Sequence, residues 1–339
     1  MTRRTSLVVP IVALALVACG PTPARQASAP SPSLAPAVTP PDQGSPAPVA
    51  AATPAAARGG RGIPSNAPWA TLYGAAPHDV LVTMAARLRL VVIDADSGNL
   101  SSEDVAVLRS HGATVISYLD VGSCERFRKW WSSGPPGFVP CAQNRGAQRG
   151  PYHGYPDEVW MNPADPAYQH LLVDLVAPGL DASGIDGFFL DNLEIVEHAP
   201  TDTEGPCDAR CAQGGLDLVY ALRQRFPDRV LVMQGGTGSV TREGVSHGVK
   251  FPTLLDGISH EQVFAPEHDA GAEAELLAWK ALGLRPGGHP FSITTEDYVG
   301  SCANREGAAR AFSASRADGF SPYASDASSG QKQACLWPG

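Results

Sequence analysis

From Trp69 onward two hydrophobic patterns alternate. Short apolar runs, most of them closed by polar residues, recur eight times: WATLY (69–73), LRLVVIDAD (88–96), ATVISYLDVG (113–122), DGFFLDN (186–192), RVLVMQGG (229–236), LDGISHEQVF (255–264), PFSITTED (290–297) and GFSPYAS (319–325). Continuous apolar runs of this length suit strands buried on both faces. Most are followed by segments with apolar residues three and four apart. In DPAYQHLLVDLVAPGLDASG, Leu171, Leu172, Leu175 and Val176 share one helical face, and Gly184 follows. SSEDVAVLRSHG opens with Ser101 and Asp104, a capping signal, and stops at Gly112. GLDLVYALRQRF, GAEAELLAWKALG and NREGAARAFSASRADG read the same way. Strands alternating with helices imply parallel βαβ units. Eight such units predict an α/β fold, a closed (β/α)8 TIM barrel, with a doubly wound open sheet as the alternative.

The N-terminus breaks the pattern. Arg3 and Arg4 precede LVVPIVALALVA, which is too short to span a bilayer as a helix, and Cys19 follows directly. A basic start, an apolar core and small residues at the cut describe a secretory signal over residues 1–18. A cysteine behind Leu-Val-Ala resembles a bacterial lipobox, which implies lipid attachment at Cys19. Residues 19–64 are largely Pro, Ala and Ser, with little charge and no aromatic side chain. They cannot bury enough apolar surface to offset ordering, so a disordered tether is expected. The rest, 65–339, has the length of a single barrel domain. The chain is expected to be exported, held on the outer face of the cell membrane by its lipid or else secreted, and monomeric.

Charge and cysteine content narrow the chemistry. The net charge of −9 argues against nucleic acid and favours cationic or neutral partners. Six cysteines besides Cys19, in an exported chain, read as disulfides. Neighbours along the chain suggest Cys124–Cys141, Cys207–Cys211 and Cys302–Cys335. The CDARC segment lacks the spacing of a metal site, and no metal or cofactor is expected. QGGTGSV fails as a dinucleotide loop because Thr241 stands where the third glycine belongs. DADSGN fails as a calcium loop, since Val105 occupies the twelfth position.

Catalytic groups of a (β/α)8 barrel sit at the C-terminal strand ends. Those ends carry Asp94 and Asp96, Tyr118 and Asp120, Asp191 and Asn192, Gln234, His260 and Glu261, then Glu296 and Asp297. In DGFFLDN, Asp186 falls at the opposite, stabilising end, and only Asp191 reaches the mouth. Converging carboxylates repel one another and move their pKa values apart, which suits glycosidic cleavage. Asn192 is expected to donate hydrogen bonds that keep Asp191 ionised. Ile258, Val263 and Phe264 would bury Glu261 and keep it protonated. Trp160, Tyr118, Tyr298 and Tyr323 are expected to offer rings to sugars. Asp94, Asp120, Asn192 and Gln234 are further substrate contacts. Arg128 is expected to bridge to Glu125 or Asp120.

ISYLDVGSCERFRKWW, DEVWMNPADPAY, GIDGFFLDNLEI, VLVMQGG and DGISHEQVF, in that order, resemble glycoside hydrolase family 114, named for endo-α-1,4-polygalactosaminidase. The resemblance covers about residues 69 to 325. It implies a (β/α)8 barrel, endo-hydrolysis of α-1,4-linked galactosamine polymers with retention, a catalytic aspartate at Asp191 and a catalytic glutamate at Glu261. Asp120 and the cysteine-bearing loops depart from the family pattern. The competing readings are a catalytically silent carbohydrate-binding lipoprotein and a barrel glycosidase acting on a neutral α-galactan.

Overall fold

The computed structural model describes residues 62–326 and 331–338. Eight parallel strands stand in chain order: β1 (Trp69–Leu72), β2 (Leu90–Ile93), β3 (Thr114–Asp120), β4 (Gly187–Asp191), β5 (Val230–Gln234), β6 (Gly257–Glu261), β7 (Ser292–Tyr298) and β8 (Ser321–Ser325). Each pairs with the next. Across the seam from β8 to β1, Trp69 Nε1 donates to Ser321 O at 2.8 Å, and its ring lies 5.4 Å from that of Tyr323. The sheet is a nearly closed (β/α)8 TIM barrel. The predicted strands all form, most of them shorter than the apolar runs. WATL, LVVI and VLVMQ are buried along their whole length, because barrel strands face side chains inside and helices outside.

The predicted helices also form: α2 (Ser102–Arg109), α3 (Pro166–Leu171, continuing through a π turn Leu172–Val176 into Ala177–Asp181), α4 (Ala209–Arg225), α5 (Ala270–Ala281) and α6 (Arg305–Ala317). A further helix, α1 (His78–Arg87), precedes them. Side chains cap the first turns. Ser101 and Asp104 close a capping box at α2, and Asp165, Asp208, Asp269 and Asn304 accept backbone N–H bonds at α3 to α6. Ile63 is buried in the core, so packing begins just before residue 65.

Three features shape the barrel mouth. After β3 a small antiparallel sheet pairs Tyr155–Met161 with both Ser123–Glu125 and Gln148–Tyr152. The disulfide Cys124–Cys141 ties its first strand to the next loop, and Cys207–Cys211 closes the turn entering α4. Residues 331–338 form a C-terminal strap held to the loop before α6 by Cys302–Cys335. At the other end of the barrel, Asp186 accepts the Val115 N–H at 3.0 Å and pairs with Arg109 at 2.7 Å. That is the stabilising role its position implies. Cys19 and the signal peptide lie outside the described residues, as does nearly all of the tether.

Candidate active site

Asp191 ends β4 and sits in register with Asp120 at the end of β3. Asn192 then turns the chain through a left-handed conformation, φ 62°, into the 3-10 turn Leu193–Glu197. The β3 loop passes so close that a Cβ on Gly122 would lie 1.7 Å from Asn192 O; only glycine permits the contact.

The Asn192 side chain turns away from Asp191. Its Nδ2 lies 3.2 Å from Asp120 Oδ1 and 3.1 Å from Ser123 Oγ. The expected donation by this side chain to Asp191 is therefore absent; the backbone N–H of Asn192 takes that part. Nor is the Asp191 carboxyl biased toward ionisation. Burial first, then Glu194, Glu261 and Asp120, holds it well above the ordinary carboxylate range.

Glu261 ends β6. Burial raises it also, against donation from Tyr298, the nearby His260 and donation from Gln331. Tyr298 Oη donates to Glu261 Oε2 in a very short contact, and Gln331 Nε2 donates to Oε1 at 3.3 Å. Burial acts in the direction expected from Ile258 and Val263, yet the carboxyl's close partners are polar. Beside it on β7, Glu296 accepts from Thr71 Oγ1 at 2.9 Å; burial and Glu261 push it up to about 8.

The small sheet brings more acids. Ser123 Oγ lies 2.5 Å from Asp120 Oδ2 and 2.9 Å from Glu158 Oε2. Ser123 thus has one hydroxyl hydrogen and two carboxyls within its reach. Burial, and the charge each feels from a neighbouring acid, raises Asp120 and Glu158 to about 7. Glu194 is raised to about 7 by burial; it accepts from Tyr152 Oη at 3.2 Å, and its buried Oε2 has no side-chain hydrogen-bond partner among the described residues. Glu125, also near 7 through burial, is bonded by Arg128, whose Nη1 reaches both Asp94 oxygens at 2.8 and 2.9 Å. Arg128 thus bridges Glu125 to Asp94, not to Asp120.

Most of these groups line one cavity of about 1070 Å³. Asp191, Glu261, Asp94, Tyr118, Asn192, Gln234 and Tyr298 lie on its wall. Three expected contacts do not. Asp120 is 1 % exposed beneath the wall, absorbed by Ser123 and Asn192. Trp160 is 3 % exposed because Tyr152 stacks over it at 4.1 Å, and Tyr152 takes the cavity face. Tyr323 is buried against Trp69, with its hydroxyl accepting the Cys335 N–H.

Sequence reasoning did not pick out Glu158, Glu194, Tyr152 or Gln331 for the site. Glu194 had a visible signal, standing three residues after Asp191. Gln331 had none. Among the described residues no three His, Cys, Asp or Glu side chains are arranged to hold a metal ion.

The model of glycoside-hydrolase family GH114 matches residues 49–210. No curated protein matches the chain. Among solved structures, the glycoside hydrolase domain of PelA from Pseudomonas aeruginosa is similar at 20% identity and TM-score 0.58, covering 78% of this chain and 96% of that one. Aspergillus fumigatus Ega3 in complex with galactosamine is similar at 14% identity and TM-score 0.56, covering 78% and 93%. At such identities both likenesses speak for the fold.

Proposed function

We propose that this chain, whose residues 49–210 match the model of glycoside-hydrolase family GH114, cleaves α-1,4-linked galactosamine-type polysaccharide internally, by a retaining two-carboxylate mechanism. The observation that carries this reading is the meeting of Asp191 and Glu261 on one cavity wall among further buried acids. A neutral glycan would leave that crowd of carboxyls uncompensated. A polymer with free ammonium groups offers partners to the wall carboxyls that Arg128 does not bridge, Glu158, Asp191, Glu194 and Glu261. Galactosamine is also the ligand in the Ega3 complex.

Asp191 acts as nucleophile at the anomeric carbon. Glu261 protonates the departing glycosidic oxygen, then takes a proton from the water that releases the glycosyl-enzyme. Their mutual repulsion is least when one is ionised and the other protonated. One observation favours the reverse allocation: two side chains donate to Glu261, which steadies its ionised form. A substrate whose leaving group needs no protonation separates the two, because it rescues loss of the acid and not loss of the nucleophile. Under the first allocation Glu261→Gln is rescued and Asp191→Asn is not.

The substrate test is incubation with de-N-acetylated galactosamine polymer, its acetylated form and a neutral α-galactan. Shorter oligomers from the first alone are expected. Cleavage of the galactan alone would replace the substrate assignment, and retention of polymer without cleavage would turn the chain into a binding protein. For location, we propose a lipid at Cys19 that tethers the domain to the membrane. Cys19→Ala should then release active protein into the soluble fraction; unchanged membrane association would remove the tether.

A further inference from the structure

The strap of residues 331–338 is stitched down at several points. Tyr73 N–H donates to Gln331 O at 2.9 Å, and a Cβ on Gly74 would lie 2.1 Å from Lys332 O. Cys335 is bonded to Cys302, and its N–H donates to Tyr323 Oη at 2.8 Å. Trp337 Nε1 donates to Ala324 O at 2.7 Å. These ties run from the loop after β1 to β8, across the barrel seam.

What the ties hold in place is Gln331. It is 2 % exposed and lies in the left-handed region at φ 30°, which a glutamine adopts only when its surroundings impose it. Its Nε2 is 2.9 Å from Tyr298 Oη and 3.3 Å from Glu261 Oε1, while its buried Oε1 has no hydrogen-bond partner among the described residues. A buried amide with one end unsatisfied costs stability, so the position is not explained by packing alone. We propose that Gln331, delivered by the disulfide-anchored strap, is a positioning residue for the Glu261 carboxyl. With Tyr298 it gives each oxygen of Glu261 one donor and so sets the carboxyl plane toward the cavity. This rests on Glu261 being one of the two reacting carboxyls.

The titratable groups facing Glu261 are Asp191 from β4, Glu194 behind it, His260 on β6, Glu296 and Tyr298 on β7, and Tyr73 after β1. Gln331 donates to the carboxylate, which favours the ionised form. Its removal therefore moves the limb of the pH–rate profile that reports Glu261 to higher pH, by roughly half a unit to one unit.

The experiment is a double-mutant cycle on the full chain with Gln331→Met and Glu261→Gln, read on the galactosamine polymer. Gln331→Met should lower kcat roughly ten- to hundredfold with KM little changed, and shift that limb upward. In the Glu261→Gln background it should change residual turnover by less than about twofold. The paired change Cys302→Ser with Cys335→Ser should move kcat and the limb in the same direction as Gln331→Met. Equal losses in both backgrounds, or full activity of Gln331→Met with an unmoved limb, would overturn the proposal. Full turnover of Glu261→Gln itself would instead overturn the reading of Glu261 as catalytic.

Discussion

Asp186 and Asp191 stand at the two ends of one apolar run and have opposite energetics. Asp186 is paired with Arg109 and accepts a backbone N–H. Asp191 lies among Glu194, Glu261 and Asp120, all of its own sign. Asp186→Asn should lower stability by about 1–3 kcal/mol, with kcat/KM unchanged in the folded fraction. Asp191→Asn should abolish turnover and leave the melting temperature equal or higher, because it removes one member of a repelling cluster. Thermal unfolding and polymer turnover, measured on both variants, check this. A drop in stability for Asp191→Asn like that of Asp186→Asn would mean that the cluster is a structural network and not a strained site.

Among the elements, legibility followed hydrophobic pattern. VLVMQ and GFFLD announce themselves because strands buried on both faces must be apolar throughout, and the acids that close them point to the mouth. The small sheet after β3 was hidden. Gly150, Pro151, His153 and Gly154 break any alternation through Gln148–Tyr152 and the following turn, so the pattern marks no strand there that would carry Glu158 and Tyr152 to the mouth. Gln331 was equally silent, since its strap is polar and aperiodic and owes its path to a disulfide and to distant backbone contacts. Trp160 and Tyr323 misled for the converse reason: an aromatic residue near a strand end looks the same whether it faces a sugar or another ring. The junction of β3 with β4 offers an element-level test. Gly122→Ala forces Asn192 away and with it the anchor on Asp120. Destabilisation of about 1–3 kcal/mol or more is expected, with loss of turnover exceeding the unfolded fraction. Denaturant unfolding together with specific activity measures both.

At the scale of the whole molecule, the mouth makes folding a proton-uptake process. Asp120, Glu125, Glu158 and Glu194 are raised to about 7, and Glu296 to about 8, chiefly by burial. In the unfolded chain the same groups titrate near ~4. Between those limits the folded state binds more protons, so stability falls as pH rises. The stabilisation is fully present below the ordinary carboxylate range and is lost as pH climbs through about 7 and 8. The melting temperature should therefore be higher at about pH 5 than at about pH 8, declining from the ordinary carboxylate range upward and levelling off once pH passes about 7 to 8. General repulsion from a net charge of −9 would act in the same direction, so the control matters. Glu158→Gln removes one raised carboxyl and should flatten the decline, whereas Glu103→Gln on the exposed first turn of α2 should leave its slope unchanged. A polycationic sugar that fills the mouth should restore much of the stability lost at pH 8, since ammonium groups replace the missing protons. Equal slopes for wild type, Glu158→Gln and Glu103→Gln would assign the pH dependence to surface charge and remove the mouth as its source.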